Sequence, residues 1–80
     1  MEKKDVPIVQ VFGVNVEAVY DDEKTTAAIT GDAVQTLRNN RFLGQGIPYC
    51  KVGGKGRSVR YFRPDTYRYM HERRISTEGR

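Results

Sequence analysis

Glycine and proline punctuate this chain so closely that short elements are favoured throughout. Gly13, Gly31, Gly44, Gly46, Pro48, Gly53, Gly54, Gly56 and Pro64 interrupt its 80 residues, each a local breaker of regular backbone. What fits between them is one small α+β domain of short strands and short helices. A domain of this size buries only about 60% of the surface its unfolded chain exposes, so the core must be small and tight. A catalytic cleft with its own supporting shell is hard to build at this scale. A binding surface needs only exposed side chains on a rigid element.

Residues 6–20, VPIVQVFGVNVEAVY, are dense in β-branched and aromatic side chains. They read as two short strands that bend at Gly13. Such a segment extends the domain's sheet or offers an edge to a second subunit. DDEKTTAAI then reads as a short helix capped by Asp21 or Asp22, with its acids in the first turn and Ala27, Ala28 and Ile29 as its apolar face. Gly31 ends it in a left-handed turn. A second helix follows over residues 32–42, capped by Thr30 or Asp32. Val34 and Leu37 face the core with Arg41 on the same side; Gln35, Thr36 and Asn39 face outward and Arg38 flanks them.

After the loop GQGIP come strands at residues 49–52 and 58–62, joined by the glycine-rich tip GGKGR. Alternation points Val59 and Tyr61 inward, Arg60 outward, and Cys50 and Val52 away from Lys51. Cys50 reads as a small buried apolar residue. Pro64 and Asp65 open a last helix whose inward stripe is Thr66, Tyr69, Met70 and Arg73. Residues 1–5 and the tail 76–80 read as loose.

Charge divides the chain. Residues 1–34 carry seven acids and three bases; residues 35–80 carry eleven bases and three acids, within a net charge of +4. A basic half of this strength points to a polyanion partner, most simply DNA or RNA; the plainer alternative is a solvated face that aids solubility. One cysteine and one histidine exclude an internal disulfide and a cysteine-based zinc finger. The cluster Asp21, Asp22, Glu23 serves as a helix start and needs no metal. His71 and Glu72 are adjacent on a helix and do not share a face. No serine or cysteine has a base placed to activate it, so neither an enzyme nor a cofactor is expected. The charged N-terminus lacks a following apolar run, which argues against a signal peptide or membrane span and for a cytoplasmic protein.

The order helix, turn, helix, basic hairpin, helix is the layout of a helix-turn-helix with an added arm. On the second helix, Gln35 and Asn39 suit adenine, Arg38 suits guanine or a phosphate, Thr36 a phosphate or a thymine methyl, and Arg41 completes the basic set. Lys51, Lys55, Arg57 and Arg60 line the hairpin arm, where cations meet backbone or minor groove. The alternative for each is an ordinary polar residue on an exposed surface.

The run ITGDAVQTLRNNRFLGQGIPYCKVG followed by RSVRYFRPDTYRYM resembles the small MerR-like, excisionase-type proteins of bacteria and their mobile elements. The resemblance covers residues 19–75. It is carried by Thr36-Leu37-Arg38, Gly46-Ile47-Pro48-Tyr49, Lys51-Val52-Gly53, Ser58-Val59-Arg60-Tyr61 and Asp65. It implies a winged helix-turn-helix whose second helix enters the major groove while the hairpin wing lies over the minor groove. It also implies a bacterial or phage-encoded, nucleoid-associated excisionase that bends DNA and directs an integrase, or a small transcription regulator using the same surface. A protein-binding adaptor on the same fold is the third reading. One recognition helix reads few base pairs, which implies a homodimer or a cooperative assembly on DNA. Two features depart from the pattern: the longer tip at residues 53–57 and the valine-rich segment within residues 1–18, an N-terminal β-rich extension to which self-association is assigned.

Overall fold

The computed structural model describes residues 5–73 of the chain, so the expected loose tail at 76–80 lies outside the described residues. The valine-rich segment forms an antiparallel hairpin, β1 (Ile8–Val11) and β2 (Val14–Glu17), with Val11 opposite Val14 and Ile8 opposite Glu17. Its two-residue turn places both Phe12 and Gly13 at positive φ, 48° and 86°, the backbone that matches the right-handed twist of paired strands. A bulky residue there is strained. The Phe12 ring finds compensation by stacking on His71, centroids 3.9 Å apart. Val11 and Val16 are buried, and the hairpin lies against the last helix, α3 (Arg63–Glu72).

A second sheet has three strands in the order β3-β5-β4: β3 (Tyr20–Asp21), β4 (Cys50–Val52) and β5 (Ser58–Phe62), all antiparallel. Strand β3 corrects the expectation that Asp21 belongs to a helix start. Asp21 is buried in the sheet and accepts hydrogen bonds of 2.9 and 2.7 Å from the fork of Arg63, which also reaches Glu17 at 3.0 Å. A carboxylate taken out of water needs such a bidentate partner.

Asp22 alone caps α1 (Glu23–Thr30), accepting from the Thr25 amide at 2.8 Å. The buried face of α1 is Thr26 and Ala27 rather than the run 27–29: Ala28 is exposed and Ile29 half-buried. Gly31, at φ 82°, closes the helix by donating to the Ala27 carbonyl at 2.8 Å. Helix α2 (Val34–Phe42) begins two residues later than its sequence suggests. Its cap is Ala33, with no side-chain bond, and the Thr30 hydroxyl accepts from the Asp32 amide within the preceding turn.

The core is Ala27, Leu37, Ile47 and Tyr61, with Val34, Val59 and Tyr69 against it. Tyr61 is 1% exposed. Cys50 is exposed, contrary to expectation. It lies on an edge strand opposite Arg60, and β5 alternation sends Tyr61 to the core and Arg60 to the other face. On α3, Thr66 is fully buried and Tyr69 meets the core. Arg73 leaves the expected inward stripe: it is exposed, with its guanidinium 3.7 Å from the centroid of the Tyr69 ring. The chain is thus a small α+β protein, three helices with antiparallel sheets among the described residues.

Candidate nucleic-acid interface

The start of α1, the exposed side of α2 and the β5 arm of the β4–β5 hairpin converge on one open cleft of about 400 Å³. Asp22, Glu23 and Lys24 come from α1, Arg38 and Arg41 from α2, and residues 57–60 from the hairpin. Four of the residues singled out from sequence therefore share one depression: Arg38, Arg41, Arg57 and Arg60. Gln35, Thr36 and Asn39 are exposed on α2, and Gln35 Nε2 donates to Asn39 Oδ1 at 3.0 Å. That bond joins residues one helical turn apart and holds the two amides side by side. Lys51 and Lys55 are exposed on the hairpin but do not line the cleft.

The arginines differ in freedom. Arg41, expected among the contacting residues, lines the cleft but is not a free surface cation. Its side chain is 17% exposed. Nη1 donates to the Tyr61 hydroxyl at 2.6 Å, Nη2 lies 3.4 Å from Glu23, and the guanidinium sits 5.7 and 5.9 Å from the Tyr49 and Tyr61 ring centroids. A buried phenol needs a hydrogen-bond partner, and a cation over aromatic faces is held there. Arg38 stays more open, with Nε and Nη2 donating to the two Glu23 oxygens at 3.3 and 2.7 Å. Arg60 is half-buried and donates to its neighbour's carbonyl, Val59, at 2.9 Å.

Two carboxylates stand in the same cleft. Hydrogen bonds from Arg38 hold the Glu23 carboxyl below the ordinary glutamate range, against partial burial, with help from Arg41. The Thr25 backbone and side chain lower Asp22 likewise. The same pairing pushes Arg38 further toward its charged form. Sequence reasoning read these acids only as a helix start. Glu23 meets Arg38 across 15 residues, a separation that no helical or strand period exposes. The one available signal was an acid opening the first helix while arginines populate the second.

Among the described residues no group of three or more His, Cys, Asp or Glu is arranged to hold a metal ion, and no helix is long and apolar enough to cross a membrane. Comparison with known protein families, curated proteins and solved structures gives no match for this chain.

Proposed function

We propose that the chain is a winged helix-turn-helix protein that binds double-stranded DNA, with α2 in the major groove and the β4–β5 hairpin on flanking backbone. The observation that carries this reading is the shared cleft: Lys24, Arg38, Arg41, Arg57 and Arg60 surround two carboxylates, leaving an excess of positive charge where helix and hairpin meet. The exposed amides of Gln35 and Asn39 beside it supply hydrogen-bonding groups suited to base edges. Lys51 and Lys55 extend the positive charge along the hairpin for backbone contact. No chemistry is required of the protein itself.

Within that class we favour an excisionase-type architectural role, bending DNA so that a separate integrase acts in the excisive direction. A transcription regulator would use the same surface at a promoter. Footprinting at an attachment site against a promoter separates the two.

A protein-binding adaptor is the rival from another class, and one observation favours it: Phe42 and Leu43, at the end of α2, are 89% and 65% exposed. Exposed neighbouring apolar side chains of this size suit a protein partner. Electrophoretic titration of random duplex DNA at several salt concentrations tests the DNA reading. Affinity is expected to fall with a log–log slope near −0.9 for each phosphate contacted. Absence of any shift at low salt, or a flat salt response, overturns it.

A further inference from the structure

Glu23 occupies one particular edge of Arg38. A guanidinium presents five N–H donors in a fixed plane. Nε and Nη2 form its side edge, and Glu23 accepts from both. The end edge, Nη1 together with the outward hydrogen of Nη2, has no partner among the described residues. Arg38 is 53% exposed at its side chain, so this edge remains reachable.

The pair is also anchored to the core. Glu23 is reached by Nη2 of Arg41 at 3.4 Å, and Nη1 of Arg41 is tied to the Tyr61 hydroxyl at 2.6 Å. Tyr61 is buried in the central cluster. A surface arginine therefore has its orientation set by a relay of contacts reaching the core. A long flexible side chain ordinarily loses rotamer freedom on binding; here part of that loss is already taken in folding.

The carboxylate changes what the free edge prefers. A phosphate is drawn by net charge, and the Glu23–Arg38 pair has little. Guanine offers O6 and N7, two uncharged acceptors that require a correctly oriented fork. Resting on the DNA reading above, we propose that Glu23 is a specificity-determining positioning residue, which turns Arg38 from a phosphate clamp into a guanine reader. Glu23 itself touches no base. It selects by orienting Arg38 and by discouraging phosphate at the free edge of Arg38 itself.

Selection from a random duplex pool, using the full chain as wild type, E23Q and R38K, tests this. Wild-type sites are expected to share a guanine at one position. E23Q binds the unselected pool more tightly, steepens the log–log salt slope by about 0.9 as Arg38 gains a phosphate, and loses on the order of tenfold in guanine preference. R38K, a change at an exposed position, keeps the charge but not the fork and loses the same guanine. An E23Q protein with unchanged preference and salt slope overturns the inference. So does a folded E23Q that weakens on all sequences alike, because a mere brace for the fold would do that. If E23Q does not fold, retention of the guanine by R38K overturns it and loss of the guanine supports it. Wild-type protein that binds no duplex defeats the DNA reading, and this inference with it, before any variant is compared.

Discussion

Thr66 illustrates how a single side chain can carry a cost. It is fully buried on α3, and its hydroxyl has no hydrogen-bond partner among the described residues. An unpaired buried hydroxyl costs about 1–3 kcal/mol, and valine has nearly the same shape. Thr66→Val is expected to leave stability unchanged or raise it by up to about 2 kcal/mol, read as a higher Tm. A clear loss would mean that the hydroxyl has a partner after all. Glu23 gives the residue scale its pH dependence. Its carboxyl is lowered on folding, chiefly by hydrogen bonds from Arg38. Such a group stabilises the folded chain above its unfolded value, roughly 4.3, and that contribution is lost as pH falls through the lower folded value. The stability gap between wild type and E23Q, from urea melts, should therefore hold steady near neutrality and close in acid. A gap that persists unchanged in acid would remove the charge from the explanation. Asp22 as a cap and Leu37 as a core residue were legible because each follows from local rules of spacing and capping. The roles of Asp21 and Arg41 were not, because their partners, Arg63 and Tyr61, lie far along the chain.

Among the elements, the passage from α2 into the following loop is the most tightly specified. Gly46 has φ 93°, and a Cβ there would lie 2.9 Å from the Cβ of Asn40. Gly44 also has positive φ, 72°, but open space around it. Both alanine variants bear backbone strain of about 1–3 kcal/mol; only Gly46→Ala adds a clash against the helix. Denaturant unfolding should rank Gly46→Ala as the more destabilising of the two, and equal losses would refute the steric argument. Helices, the hairpin loop and the turn at Gly31 were all visible in the punctuation of the chain. Strand β3 was hidden, since two residues have no periodicity to read, and it exists only because β5 offers an edge to Tyr20 and Asp21. The N-terminal hairpin was half-visible: its strands are written in valines and Gly13, but its place on α3 depends on Val11, Val16 and the Phe12–His71 stack.

Across the whole molecule, the acidic first half and basic second half meet at two places, the cleft around Glu23 and the Arg63 fork. The acids do more than offset net charge: Glu23 engages Arg38 and Arg41, while Asp21 and Glu17 engage Arg63. The cations farther along the hairpin are less encumbered. If the chain binds duplex DNA as proposed, replacing Lys55 and Arg57 together with alanine should weaken binding to all duplexes alike and flatten the salt slope by up to about one unit per cation. Arg57 lines the cleft and Lys55 does not, so R57A alone should account for the larger share. Titrations in which the double variant matches wild type at every salt concentration would detach the hairpin from the interface.

From residue order alone came the short elements, their turns, the principal core positions Leu37 and Tyr61, and the concentration of positive charge in the second half. Those are local properties, decided by propensity, period and composition. Folding in three dimensions decided which cations remain free and which are held, because ion pairing depends on distances between segments that the chain brings together only when its core closes. Arg41 and Arg38 stand three residues apart on one helix, yet the first is turned onto a buried tyrosine and the second keeps an open edge.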